Sequence, residues 1–217
     1  MAKSIAFFGV PSRDIVYYIG RLLYICGQEV LIVTYQEGEK KDKEYQPSYY
    51  MGLDWLTCSK EWLMNHEEVI SDYSYVLYEL EYREVELYND SYNMFDYIVG
   101  ITTLNKNVML HIAQAVLRYN KQCILIVREI CNKRFDGDYF LRSYPECKAL
   151  CKLSEIWLDS FDSYYKQCLE LEEMKNFKRL SDNMIQTLSC ILMELHAFTS
   201  KEIHYAIKQL KKGVVEC

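Results

Sequence analysis

The sequence predicts an α/β fold: a doubly wound, mostly parallel sheet with helices on both faces, a three-layer Rossmann-like arrangement with a helical C-terminus. Three observations carry that expectation. Short apolar runs alternate with segments whose apolar residues recur at a helical period, which is the order of a βαβ chain. The runs, such as Val30–Val33 and Cys123–Val127, contain no polar residue, as expected of strands covered on both faces. Gly (8) and Pro (3) are scarce for 217 residues, which disfavours many-turned β architectures.

Taken in order, Ile5–Val10 is a strand broken at Gly9-Val10-Pro11. In Asp14–Cys26 the residues Ile15, Val16, Ile19, Leu22, Leu23 and Cys26 fall at a helical period, and Gly27 supplies a C-cap. Val30–Val33 completes a βαβ unit, and the charged run Glu37–Glu44 is a solvated loop. A helix over Lys60–Ile70 precedes a strand over Tyr73–Leu80. Tyr97–Ile101 and Cys123–Val127 are strands separated by a helix over Lys106–Tyr119. A helix around Tyr139–Cys151 and a short strand over Glu155–Leu158 end the sheet. Helices over Leu180–Phe198 and Ser200–Lys212 follow; Thr199 and Glu202 form a capping box for the second, and Gly213 stops it. No linker and no internal repeat interrupts the pattern, so residues 1–217 are expected to form a single domain.

Composition narrows the function classes. The chain is 50% apolar and 26% charged, a globular balance. A net charge of −6 argues against a nucleic-acid partner, which wants a basic face. No apolar run approaches the roughly 20 residues needed to span a bilayer. Lys3 and the apolar run after it lack an A-x-A site, and Arg13 and Asp14 follow directly. That start is a strand rather than a signal peptide, and the expected location is cytoplasmic. The nine cysteines are scattered and form no C-x-x-C; they suit a reducing compartment, where free thiols act as small buried hydrophobes. Cys147 and Cys151, one turn apart on the expected helix, have no histidine near in sequence, so no metal site is expected. The histidines His66, His111, His196 and His204 fall on expected helices, with no H-E-x-x-H and no G-x-S-x-G. His111 is expected to be packed, Glu67-Glu68 and Glu170–Glu173 to be solvated helix faces, and most of the 20 tyrosines to stand in for Phe and Leu.

Ligands of open α/β sheets bind beyond the carboxyl ends of the strands. The turn there reads Phe8-Gly9-Val10-Pro11-Ser12-Arg13-Asp14. A phosphate-binding P-loop needs several glycines, a lysine and a Ser/Thr for magnesium, whereas this turn has one glycine and no lysine. Pro11 removes a donor, and Asp14 competes with a phosphate for the helix N-terminus. Ser12 and Asp14 are expected to cap the helix from within. Gly9, Val10, Pro11, Ser12, Arg13 and Asp14 are therefore not expected to hold a cofactor. A G-x-G-x-x-G is absent, and the acidic and lysine positions of a response-regulator receiver are not filled.

The order of the pieces resembles the deviant Walker ATPases of the MinD/ParA type, P-loop NTPases with K-G-G-V-G-K-T, G-x-x-V-L-L-I-D and D-Y-V-I-I-D motifs. Gly27-x-x-Val-Leu-Ile-Val and Tyr75-Val-Leu-Tyr-Glu are similar to the second and third. Aligned on Gly27, Ser12 stands at the P-loop lysine, Arg13 at the magnesium-binding Thr, and Phe8 at the glycine before Gly9. Thr34 and Glu79 stand at the two strand-closing aspartates, so Glu79 is a vestigial acidic position. Phe95–Thr103 resembles the family's strand ending in T-x-P or T-T, and Ile124–Asn132 its V-V-N-R strand. The look is closest to TadZ/CpaE pilus-localisation proteins. The resemblance implies a non-catalytic pseudo-ATPase with a degenerate Walker A, without cofactor or metal, serving as an adaptor or localisation factor with a protein partner in pilus or secretion assembly. The alternative is an ATPase whose displaced cation is Arg13 or Arg128.

Such proteins dimerise face to face across the nucleotide. The resemblance implies a homodimer here that forms without nucleotide, through Gly9–Asp14, the turn after Thr34 and the loops after Glu79 and Thr103. Arg13 would lie near that contact, with Tyr17, Tyr35, Tyr82 and Tyr88 as aromatic anchors. MinD-type proteins end in a membrane-binding amphipathic helix. The stripe Ile203, Ala206, Ile207 and Leu210 is short, lacks Trp and Phe, and carries Glu202 and Glu216 near its ends, so it is expected to pack on the sheet without membrane contact.

Overall fold

A computed structural model of the protein describes residues 2–35, 46–59, 67–81, 95–171, 176–195 and 198–213. The elements run β1 (Lys3–Gly9), α1 (Arg13–Ile25), β2 (Val30–Tyr35), β3 (Ser48–Tyr50), β4 (Leu53–Cys58), α2 (Glu67–Ser71), β5 (Tyr75–Glu81) and β6 (Tyr97–Thr102). They continue with α3 (Lys106–Tyr119), β7 (Cys123–Ile130), α4 (Gly137–Ser143), a 3₁₀ turn (Pro145–Cys147), β8 (Cys151–Trp157), α5 (Ser160–Glu170), α6 (Asp182–Glu194) and α7 (Ser200–Lys212). The eight strands form one sheet in the order β3-β4-β2-β5-β1-β6-β7-β8. Neighbours are parallel except for β3 against β4.

Because side chains alternate across a parallel strand, both faces of the sheet are covered. Ile5, Phe7 and Ile126 meet α1, α5, α6 and α7 through residues such as Ile15, Leu169, Leu188 and Ile203. Ala6, Phe8, Leu125 and Val127 meet α3 and α4 through Ile112, Val116 and Phe140. The doubly wound α/β architecture is thus as the apolar pattern requires. The strand order turns at β1, flanked by β5 and β6, and this places the switch point beyond Gly9.

Local chemistry explains most boundaries. Gly27, at φ +80°, ends α1 in a Schellman motif. Its N–H donates to Tyr24 O at 2.9 Å and that of Gln28 to Leu23 O at 3.1 Å. The capping box of α7 forms as the sequence indicates: Thr199 Oγ1 accepts from the Glu202 N–H while the Glu202 carboxylate accepts from the Thr199 N–H.

Several boundaries differ from the expectation. The helix placed over Tyr139–Cys151 is α4 followed by the 3₁₀ turn, and Cys151 already belongs to β8, which starts four residues before the expected Glu155. Pro145 is the reason: a residue preceding proline is pushed out of the α region, and Tyr144 sits at φ −134°, ψ 70°. The α5 helix, N-capped by the Asp159 side chain, was not foreseen, and neither was the β3–β4 edge hairpin. That hairpin turns at Met51 (φ 51°) and Gly52 (φ 77°), a positive-φ pair of the kind hairpin turns favour. Met51 is an unusual residue for such a turn. It is held from α1, where the Tyr17 hydroxyl donates to Met51 O at 3.2 Å and Arg21 Nη1 to Gly52 O at 2.7 Å. The expected loop Glu37–Glu44 and most of the helix Lys60–Ile70 lie outside the described residues, as do His66 and His196.

The α7 stripe of Ile203, Ala206 and Leu210 is buried, beside α1 and α6 and in the same core cluster as the sheet residues Ile5 and Phe7. No helix among the described residues is long and apolar enough to cross a membrane.

Candidate functional site: the switch-point turn

Three residues, Val10-Pro11-Ser12, join β1 to α1 at the switch point. Gly9 takes φ +136°, and a Cβ built there would lie 1.8 Å from the Ile101 carbonyl oxygen. Glycine thus lets the end of β1 close onto β6. The Val10 N–H is committed to the same carbonyl at 3.1 Å, and Pro11 has no N–H to offer. Ser12 occupies the N-cap, and its carbonyl accepts the Val16 N–H at 3.1 Å. Contrary to the expectation, its side chain forms no cap. Nor does Asp14 cap the helix, because its carboxylate is turned towards a distant cation.

That cation is Arg128, from the end of β7. Its Nη1 donates to Asp14 Oδ1 at 3.0 Å and its Nη2 to Asp14 Oδ2 at 2.8 Å. The planar guanidinium fork matches both carboxylate oxygens. Asp14 is 1% exposed and Arg128 4%. Burial alone would lower the Arg128 pKa, but the charge and hydrogen bonds of Asp14, with Glu129, raise it above its ordinary value. A bulge in the β7–β8 register between Arg128 and Ile130 aims the side chain. Glu129 is the extra residue, at φ +62° and exposed. Alternation alone would put Glu129 on the α3–α4 face with Val127 and Ile130 on the other; the inserted residue returns Ile130 to the core beside Val127.

Around this pair the surroundings are acidic. A cleft of about 270 Å³ beyond β7 and β8 is lined by Arg128, Glu129, Asp159, Asp162, Lys166 and Glu170 among others. Asp162 accepts hydrogen bonds from the Ser181 N–H and hydroxyl; burial nevertheless raises its pKa. The buried Tyr18 hydroxyl and Arg128 Nε have no hydrogen-bond partner among the described residues. Burial, with Asp14 and Asp162 nearby, keeps the Tyr18 phenol protonated. The buried cation Arg128 is therefore already matched by a carboxylate.

The other singled-out residues are dispersed. Arg13 is half-buried and lays its guanidinium over the Trp55 ring, 5.0 Å from the centroid. Glu79 lies inside β5, opposite Phe7 of β1 and Thr34 of β2, rather than at a strand end. Thr34 Oγ1 is 2.8 Å from Thr57 Oγ1. Tyr17, expected as an interface anchor, is fully buried among Tyr18 and Phe177; its place on the apolar stripe of α1 explains why. Tyr82 and Tyr88 lie outside the described residues, as does the side chain of Tyr35. His111 is half-buried on α3 and His204 is exposed on α7. The Asp14–Arg128 pairing was missed at the sequence level. The only hint was an arginine closing a five-residue apolar strand.

Neither a family model nor a curated protein matches the sequence. Solved structures match in fold across nearly the whole chain. A chain of the MinC:MinD cell division protein complex of Aquifex aeolicus is 10% identical with a TM-score of 0.56, over 100% of this chain and 98% of that one. The MinD cell division protein of Aquifex aeolicus is 11% identical with a TM-score of 0.52, over 99% of both chains. A protein of Borrelia burgdorferi B31 assigned to plasmid partition and bound to AMPPNP is 11% identical with a TM-score of 0.53, over 96% and 99%. The chain has the MinD/ParA fold. At such identities the likeness extends to architecture alone.

Proposed function

We propose that this chain is a non-catalytic MinD/ParA-like protein, a pseudo-ATPase acting as an adaptor or localisation factor. The observation that carries this reading is the buried Asp14–Arg128 pair behind a three-residue turn. A triphosphate needs free backbone N–H groups and unpaired positive charge. Here the Val10 N–H is bonded to Ile101, Pro11 has none, and Asp14 meets the arginine. An ATPase with a displaced cation would require Arg13 or Arg128. Arg13 is stacked on Trp55 and Arg128 is paired, so the observations favour the adaptor. The likeness of the sequence to TadZ/CpaE proteins points to cytoplasmic work in pilus or secretion assembly with a protein partner. That one fold neighbour is part of a MinC:MinD complex agrees with such a scaffold role.

Calorimetric titration tests the central claim. Protein at tens of micromolar is expected to show no heat of ATP binding and no magnesium-dependent phosphate release. A Kd below about 10 µM, roughly −7 kcal/mol, overturns the reading.

A homodimer independent of nucleotide follows from the same reading, with the turn face as its contact. Light scattering at rising micromolar concentration is expected to give a dimer mass; a persistent monomer mass contradicts it. Arg13→Glu is expected to weaken the dimer, because an unpaired charge buried at a contact costs about 3–5 kcal/mol. A variant as dimeric as the parent would move the contact to another face.

A further inference from the structure

Three cysteines gather where the last two strands of the sheet begin. Cys123 opens β7 and Cys151 opens β8, and the parallel register pairs them directly. Their sulfurs are 3.7 Å apart and in hydrogen-bond contact. The Cys123 N–H donates to Leu150 O at 2.8 Å, so the backbone on each side of the pair is held as well as the thiols. The Cα separation of neighbouring strands, about 4.8 Å, lies within the range a disulfide spans. The third thiol, Cys147, is buried and donates to Ala113 O at 3.8 Å. Its hydrogen bond turns it towards α3 rather than towards the pair.

The two paired thiols are not equivalent. Cys123 is buried, while Cys151 is only partly buried on the edge strand. The hydrogen bond shared with Cys123 lowers the Cys151 pKa against the opposing effect of burial. The same bond, then burial, raises that of Cys123. Burial pushes Cys147 up to about 12.

We propose that Cys123 and Cys151 form an oxidisable dithiol, with Cys151 the sulfur that attacks a hydroperoxide and Cys123 the one that resolves it. In the first step the Cys151 sulfur attacks a peroxide oxygen. An S–O bond forms, the O–O bond breaks, and with hydrogen peroxide the departing hydroxide leaves as water carrying the thiol proton. In the second step the Cys123 sulfur attacks the sulfenic sulfur of Cys151. An S–S bond forms, the S–O bond breaks, and a second water carries away the Cys123 proton. Overall, two thiols are oxidised to one disulfide and one peroxide is reduced to two waters. The product staples the edge strand β8 to β7. The opposite end of β8 carries Ile156 and Trp157 of the switch-point cleft.

The test treats the native protein with hydrogen peroxide, then blocks the remaining thiols in denaturant and maps them by mass spectrometry. The expected result is a cross-linked Cys123–Cys151 peptide pair, lighter by two hydrogens and cleaved by dithiothreitol, with Cys147 still alkylated. Exposed Cys131 serves as the unpaired comparison and is expected to give no bridge within the chain. In Cys123→Ser, Cys151 is expected to accumulate as a sulfenic acid trapped by dimedone. Wild-type protein in which Cys131 is oxidised while Cys123 and Cys151 remain separately alkylated would overturn the proposal. A bridge from Cys147 to either partner would overturn it equally.

Discussion

Replacing Gly9 with alanine is expected to abolish the folded state. The added Cβ would sit 1.8 Å from the Ile101 carbonyl oxygen and 3.1 Å from Ile112 Cδ1. The first of these is backbone in a paired strand, so it cannot swing aside as a flexible side-chain tip could. The φ of +136° is itself rarely adopted by residues with a side chain, at a cost of about 1–3 kcal/mol. Relief requires parting β1 from β6 in the middle of the sheet, and whole domains are stable by only about 5–15 kcal/mol. Gly27→Ala is the comparison: it also has positive φ, but nothing lies within 4 Å of its Cβ position, so about 1 kcal/mol is expected. Urea unfolding followed by circular dichroism separates the two. A Gly9→Ala protein that unfolds within 1 kcal/mol of the parent would mean that β1 and β6 do not close as described.

Arg128→Ala should cost about 3–5 kcal/mol, because it leaves the Asp14 carboxylate buried without its partner. Asp14→Ala should cost a similar amount by stranding the guanidinium. Replacing both, as Asp14→Leu with Arg128→Met, is expected to recover most of the loss, since paired charges are desolvated at nearly the energy they return. The double-mutant cycle then reports a coupling energy well above the roughly 0–1 kcal/mol of an exposed pair. Single variants that lose less than about 1 kcal/mol would show that the pair is solvated, and the adaptor reading would lose its main support. The double variant also probes function. Under the pseudo-ATPase reading, emptying the switch point of both charges creates no ATP turnover, because the Val10 N–H stays bonded to Ile101 O, Pro11 has no N–H and the turn still lacks a lysine.

Legibility differed between elements for identifiable reasons. The central strands and α1, α3 and α7 are written locally: their apolar runs, helical periods, Gly27 and the Thr199/Glu202 box all act within a few residues. The end of α4 was also in the sequence, at Pro145, but the apolar period beyond it masked the stop. The β3–β4 hairpin was hidden because Met51 stands where Asn or Asp would have signalled the turn. Its positive φ persists through hydrogen bonds from Tyr17 and Arg21, more than 30 residues earlier in the chain. Tyr17 illustrates the converse, since adjacency to the turn suggested an interface whereas the helix phase points it into the core.

By itself the sequence determined the α/β class, the parallel core strands and a turn over Gly9–Asp14 with one glycine and no lysine, because periodicity and residue type act over short distances. Tertiary structure alone decided what the turn does with its charge. Asp14 and Arg128 are 114 residues apart, and nothing local specifies that one carboxylate will meet one guanidinium. The parallel order that sets β7 two strands from β1 brings them together, the bulge at Glu129 aims the arginine, and burial gives the contact its strength. The Cys123–Cys151 pair has the same origin: two unremarkable cysteines in sequence become neighbours only through the register of β7 and β8.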